Sequence, residues 1–335
     1  MRVVLGYQQW EPRLGGEIVK RVGPSSIRLT WRLAALAVAV VLGTTASRTE
    51  TAALPMTEIA SGIFVHNGVH EEASAANEDA IANIGFIIGD DALAVIDPGG
   101  SFAEGNGLRA AIRARTDLPI RYVILTHVHP DHILGAAAFR DDHPDFVGHA
   151  KLPGALAQRG DYYVRRLRGT LGDEANGTEI VVPTVLVADK LDLDLGSRRL
   201  TLRAHGPAHT DNDLTVFDQK TRTFWLADLL FVDRIPVIDG SLVGWLKQLD
   251  ELTAIPADRA VPGHGPVSVP WPAAAEPERR YLEALAHDTR AAIKAGIGIA
   301  NAYQHVANSE RGNWLLFDEY HPRNVTASYK ELEWE

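Results

Sequence analysis

The chain has 335 residues, a formal net charge of −10 and no cysteine. Without cysteine there is no disulfide framework and no thiolate ligand, so any metal must be held by imidazole and carboxylate. An apolar content of 46% against 23% charged residues is ordinary for a globular protein, and a chain of this length buries a sizeable core.

The N-terminus reads as an export signal. Arg28 and Arg32 precede the apolar run "LAALAVAVVLG", and "TTAS" then offers small residues for cleavage near Ala46. The run is shorter than the ~20 apolar residues a membrane span needs. Residues 1–46 are therefore expected to be a leader, and residues 57–335 the folded domain with a C-terminal helix and tail. Removing six basic and two acidic leader residues takes the charge from −10 to −14. So acidic a chain is a poor partner for nucleic acid, whose phosphates need clustered Lys and Arg. An exported, cysteine-free chain with no membrane span after signal removal points to the periplasm.

From residue 63 onwards short apolar runs alternate with turns. "GIFVHNG" and "NIGFIIGDDALAVIDPGG" predict strands, the second a hairpin turning at Gly89-Asp90-Asp91. "SFAEGNGLRAAIRAR" predicts a helix with Ser101 as N-cap and Glu104 in the capping-box position. "RYVILTH" predicts a buried strand and "HILGAAAFRDD" a following helix, while residues 152–184 read as a loop. Later, "RRLTLRAHGPAHTDNDLTVFD" predicts two strands around a loop, "TRTFWLADLLF" a strand reaching Asp228 and "RAVPGHGPV" a strand ending at His264. "LVGWLKQLDEL" predicts an amphipathic helix and residues 276–294 a long one, whereas the tail from Asn313 onward matches no pattern. Strands alternating with helices, without a linker, predict one α/β domain.

"THVHPDHILGA" puts three histidines and an aspartate into residues 127–132. His127 and His129 stand two apart in extended chain, so both side chains point the same way and can reach one cation. Asp131 and His132 follow the stiff Pro130, where the chain turns, and can face a second cation. His209, Asp228 and His264 occur where later strands end, in "GPAHTDND", "LADLL" and "PGHGP". Asp228 stands in an apolar run, where an unpaired carboxylate would be costly and a cation would relieve the cost. Seven ligands shared by two metals leave coordination positions open, which is a catalytic arrangement and not a structural one.

"HVHPDH", "AHTD", "LAD" and "PGHG", in that order and with "VIDPG" around Asp97, resemble the motif set of the metallo-β-lactamase-fold hydrolases. Within that group "ANIGFIIG", "VIDPGGS", "GPAHTDNDLTVFD", "DGSLVGWL" and "HPRNV…ELEWE" are most similar to the quinoprotein relay system zinc metallohydrolases. The resemblance implies an αββα sandwich of two mixed β-sheets flanked by helices. It implies one zinc on His127, His129 and His209, a second on Asp131, His132 and His264, and Asp228 bridging the two. A bridging hydroxide would attack a small-molecule substrate, with Asp131 as the catalytic residue that orients it and moves its proton. Asp97 and Thr126 would orient metal-bound imidazoles. One departure is Ala227, where a glycine is common, and little is expected from it.

The bridging aspartate resembles thioesterases, esterases and lactonases of this group more than its β-lactamases, so an ester-, thioester- or lactone-type bond is the expected target and a β-lactam the first alternative. A mononuclear iron or a mixed metal suits a similar His/Asp set. The resemblance also implies a functional link to a periplasmic quinoprotein, with a non-enzymatic accessory role as the alternative. His66, His70, His143, His149, His205, His287, His305 and His321 are read as core or surface residues, with His149 and His205 as pocket candidates. Trp245, Trp314, Phe317, Tyr320 and Trp334 are read as core.

Overall fold

Short strands rich in Ile, Val, Leu and Phe, buried on both faces, need cover on both sides, and the chain supplies it by stacking two sheets between helices. The computed structural model describes residues 52–335; the expected leader lies outside the described residues. The first sheet has seven strands in sequential order. They are β1 (Thr57–Ala60), β2 (Ile63–His66), β3 (Ile84–Ile88), β4 (Leu93–Ile96), β5 (Ile120–Leu125), β6 (Asp145–His149) and β7 (Val185–Val187). β1 to β4 pair antiparallel and β4 to β7 parallel. The second sheet has six: β8 (Lys190–Asp194), β9 (Arg199–Ala204), β10 (Leu214–Asp218), β11 (Thr223–Phe231), β12 (Arg259–His264) and β13 (Val269–Pro270). It is antiparallel except for the parallel β11–β12 pair. Both sheets are mixed, as expected.

Between the sheets lies one apolar layer, with Val65, Ile96, Ile124 and Val147 from the first and Leu200, Val216, Trp225 and Val261 from the second. The outer face of the first sheet is covered by α1 (Phe102–Arg113), the one-turn α2 (Pro130–Ile133) and α3 (Leu152–Leu171). The outer face of the second is covered by α4 (Leu242–Thr253), α5 (Glu276–Lys294), the short α6 (Ile299–Ala302) and α7 (Phe317–Leu332). Arg198 ties the sheets together: it is bidentate to the buried Asp218 and donates to Ser61 O and Ile88 O.

Four local expectations need correction. Residues 132–142 do not form one helix. α2 stops because Gly135 passes against Pro98, whose carbonyl would lie 2.1 Å from any Cβ there, and the chain resumes as a 3₁₀ turn. The segment read as a loop from residue 152 is mostly the 20-residue helix α3, which buries Leu152, Leu156, Tyr163, Leu167 and Leu171 on one face. The unassigned tail is mostly α7, a helix with Pro322 inside it. Glu104 gives its carboxylate to Gly100 N–H at 2.7 Å, not to the Ser101 N–H of a regular capping box, although Ser101 does cap α1.

Candidate metal centre

The chemistry collects at one end of the sandwich, where β4, β5, β11 and β12 deliver their ends or bulges. β5 ends at Leu125, and the chain bends at His127 and Val128 before entering α2. β11 is buried along its whole length and carries Asp228 just past an irregularity at Ala227. Ala227 sits at φ +47, a region that L residues enter at a cost of ~1–2 kcal/mol and glycine enters freely. The alanine is therefore a strained choice, which corrects the expectation that little follows from it. On the adjoining strand, a Cβ at Gly263 would meet Asp228 Oδ1 at 1.8 Å. Only glycine lets that carboxylate stand where it does.

All seven residues singled out by sequence come together. His127, His129, His209 and Asp228 form one group and Asp131, His132 and His264 another, with ligand atoms within 4.8 Å of one another in each. All but His129 are buried.

Hydrogen bonds at the outward nitrogens fix how the rings point. His132 Nδ1 donates to Asp97 Oδ2 at 2.8 Å, His209 Nδ1 to Val237 O at 2.7 Å and His264 Nδ1 to Ile81 O at 2.8 Å. Thr126 Oγ1 donates to Asp97 Oδ2, so it accepts from His127 Nδ1 at 3.0 Å. His129 is turned the other way, its Nε2 donating to Asp239 Oδ2 at 3.1 Å. A neutral imidazole that donates from one nitrogen presents a bare lone pair at the other. Five lone pairs therefore point inward, four from Nε2 and one from His129 Nδ1.

This arrangement fits divalent cations. His127 Nε2, His132 Nε2 and Asp228 Oδ1 are buried without a hydrogen-bond partner. His209 Nε2 faces His129 Nδ1 at 2.8 Å, an approach of two lone pairs that needs a cation between them. Burial pushes His209 down to about 3. Burial also lowers His127 well below its usual value. For Asp131 and Asp228 burial works upward, but the surrounding imidazoles outweigh it and hold both below the usual carboxylate range. Burial raises Asp97, opposed by the three bonds donated by His132 and Thr126. Buried nitrogen and carboxylate donors of this kind suit zinc and other first-row divalent metals.

The metallo-beta-lactamase superfamily description matches residues 78–264. The chain belongs to the metallo-beta-lactamase superfamily. A linear primary-alkylsulfatase from a Pseudomonas strain is 26% identical over 214 residues, covering 53% of this chain. That stretch is 40% of the sulfatase, so the chain spans well under half of this relative. Among solved structures, a metallo-beta-lactamase from Pontibacter korlensis aligns with a TM-score of 0.56 at 17% identity, over 69% of this chain and 99% of its own. One from Hirschia baltica aligns at 0.53 and 15%, over 69% and 97%. At such identities these two speak for the fold.

For this superfamily member the structure also shows residues that spacing missed. Asp239 holds His129 and is itself gripped by Arg159 from α3. Burial raises Asp239, and His129 and Arg159 more than offset it, keeping the carboxyl below its usual range. Asn324 on α7 accepts from Ile238 N at 3.0 Å and donates to Pro236 O at 2.7 Å, fixing the segment whose Val237 carbonyl orients His209. Asn83 straps the turn after β12 by donating to Pro262 O and Gly265 O. Asp239 and Asn324 stand inside "DGSLVGWL" and "HPRNV", strings that resemblance marks without giving their roles.

A cavity of about 220 Å³ opens over the centre. Tyr320 is half-buried against the core and also lines this cavity, whereas Trp334 is 86% exposed and is not core. Trp245, Trp314 and Phe317 are buried as expected. His149 and His205 do not line this cavity; His205 is buried and satisfied by Gln248 and Thr215.

Proposed function

We propose that this metal-dependent hydrolase of the superfamily cleaves an ester-, thioester- or lactone-type bond in a small molecule, with zinc as its native metal. The observation that carries the reading is the convergence of five bare imidazole nitrogens and two carboxylates at the floor of a cavity of small-molecule size. His127, His129 and His209 would hold one ion and Asp131, His132 and His264 the other. Asp228 lies between the groups, with Oδ1 3.0 Å from His132 Nε2 and Oδ2 3.3 Å from His209 Nε2 and 3.4 Å from His264 Nε2. Bound there, the pair supplies Lewis acidity to the scissile group and lowers the pKa of the attacking water. Asp131 Oδ2 faces His264 Nε2 at 3.4 Å, which leaves its other oxygen to orient that water, accept its proton and return it to the leaving group. Phe231 stacks on His264 at 5.1 Å and packs with Trp245 against His209, keeping bulk water from the rear of both rings.

The alkylsulfatase match favours a second reading, cleavage of a sulfuric ester. Export to the periplasm and service to a quinoprotein system are part of the proposal and rest on the leader and the motif resemblance. Among the described residues no helix is long and apolar enough to cross a membrane.

The test is metal analysis of the chain without its leader, followed by a panel of esters, thioesters, lactones, β-lactams and alkyl sulfates. Two zinc ions per chain and chelator-sensitive turnover of a carbonyl ester are expected. Turnover confined to alkyl sulfates or β-lactams moves the assignment to those bonds. Full zinc with no turnover on any arm moves it to the accessory role, and a chain that retains no metal ends the reading.

A further inference from the structure

Beyond the metal donors, the cavity is lined by Arg166 of α3, Arg234 and, from α7, Tyr320 and Arg323. Arg166 and Arg323 are exposed at the rim, whereas Arg234 is 3% exposed. A guanidinium carries five N–H donors. Those of Arg234 are poorly used. Nη2 donates to Tyr320 OH at 3.0 Å and Nη1 reaches Glu71 O at 3.4 Å, while Nε has no partner. Nη1 also lies 3.3 Å from His264 Nδ1, but that nitrogen already donates to Ile81 O, so donor meets donor.

Among the described residues, no carboxylate forms an ion pair with Arg234. Burying a charge unpaired is costly, and doing so beside a centre built for divalent cations adds repulsion. The group is nonetheless held firmly. Tyr320 stacks on the guanidinium at 5.3 Å, and Arg234 bridges to Leu315 in the chain leading into α7. Two carboxylates share the lining: Glu72 is exposed at the rim, and Asp79 is raised by burial and by Asp131 and forms no ion pair with Arg234. A rigid, buried, under-used fork of donors awaits a planar or tetrahedral oxyanion.

We propose that Arg234, clamped by Tyr320 and flanked by Arg166 and Arg323, is an oxyanion subsite that selects ligands carrying a carboxylate or sulfonate group. Calling that ligand the substrate rests on the hydrolase reading, with the anionic group lying away from the bond cleaved. The C-terminal helix is then a specificity element.

Calorimetry on the full chain, both zinc-loaded and chelator-treated, tests this with 4-phenylbutanoate, 3-phenylpropane-1-sulfonate and the neutral 4-phenylbutanamide. At least one anion is expected to bind ~10-fold or more tightly than the amide, as charge-assisted bonds to a buried guanidinium require. Which anion is tighter distinguishes a planar from a tetrahedral ligand. Arg234→Gln removes the preference. Should that variant fail to fold, the surface pair Arg166→Gln/Arg323→Gln reduces it by ~3-fold. Equal binding of amide and anions by the native chain overturns the proposal, as does a preference that survives intact in either variant. Binding needs no turnover, so a silent hydrolase panel leaves this result standing, and a missing anion preference leaves hydrolysis standing.

Discussion

Residues 78–264 and residues 265–335 contribute in different ways to the same centre. Every metal donor lies in the first stretch: in the segment after β5 and in α2, in the β9–β10 loop, within the irregular strand β11 and at the end of β12. The second stretch offers no donor, yet Asn324 fixes the carbonyl that aims His209, Tyr320 clamps Arg234, and Glu331 receives Leu242 N–H at 2.7 Å and Ser241 Oγ at the start of α4. Donor chemistry and donor positioning are thus held by separate parts of the chain. The first can recur across a superfamily while the second sets how tightly this copy is organised.

The harshest challenge to that division is removal of the metal. Stripping it with a chelator should abolish turnover and lower the melting temperature by about 10 °C relative to protein at a thousandfold excess of zinc over its dissociation constant. An unchanged melting curve would mean that the facing lone pairs of His129 and His209 are relieved in some other way. Next comes Asp131→Asn, which should cut kcat by ~10²–10⁴-fold while at least one ion stays bound; undiminished turnover would remove Asp131 from the chemistry. Asn324→Ala reaches across the divide. It should weaken metal affinity by a few-fold, less than the ~10–100-fold that loss of a ligand's own outer partner costs, because Asn324 acts on His209 through the Val237 carbonyl. If competition with a chelating dye shows native affinity and only stability falls, α7 is cover and not a strut.

The mildest effect is a dependence on pH. His321 Nε2 donates to Val306 O at 3.0 Å, and Nδ1 accepts from Tyr281 OH at 3.1 Å, which in turn accepts from Asn324. Burial lowers this imidazole to about 4 from 6.5. Between those values the unfolded chain binds more protons than the folded one, so stability is fully present above 6.5 and is lost as pH falls toward 4. Urea unfolding followed from pH 7 to pH 4.5 should show this loss, and His321→Leu should shed that part of the slope. An identical slope in the variant would place the acid sensitivity elsewhere.

The donor set was legible in the sequence because four donors crowd residues 127–132, while His209, Asp228 and His264 stand in short motifs, Asp228 inside the apolar strand β11 and His264 closing β12. The two mixed sheets were legible through their apolar runs and turn residues. Other features were hidden for physical reasons. Gly154, Gly160 and Gly169 weaken the helical signal of α3, although Gly160 is there because Ile180 would crowd a Cβ at 2.8 Å. Pro322 masks α7. Asp239 and Asn324 act on rings 110 and 115 positions away, and no spacing rule spans such distances. Arg234 carried the same cue as Asp228, a charge set in an apolar run, "LLFVDRIPVI".

Asp97 sits at φ +54 with its carboxylate wholly enclosed. One of its oxygens steadies His132 directly, and through Thr126 the same group steadies His127. A single side chain thereby answers for one ring in each donor group. Disturbance on either side is passed to its neighbour across three hydrogen bonds, so the affinities of the two cation positions should be coupled, and converting this centre to a single-ion design would have to begin by uncoupling that shared anchor.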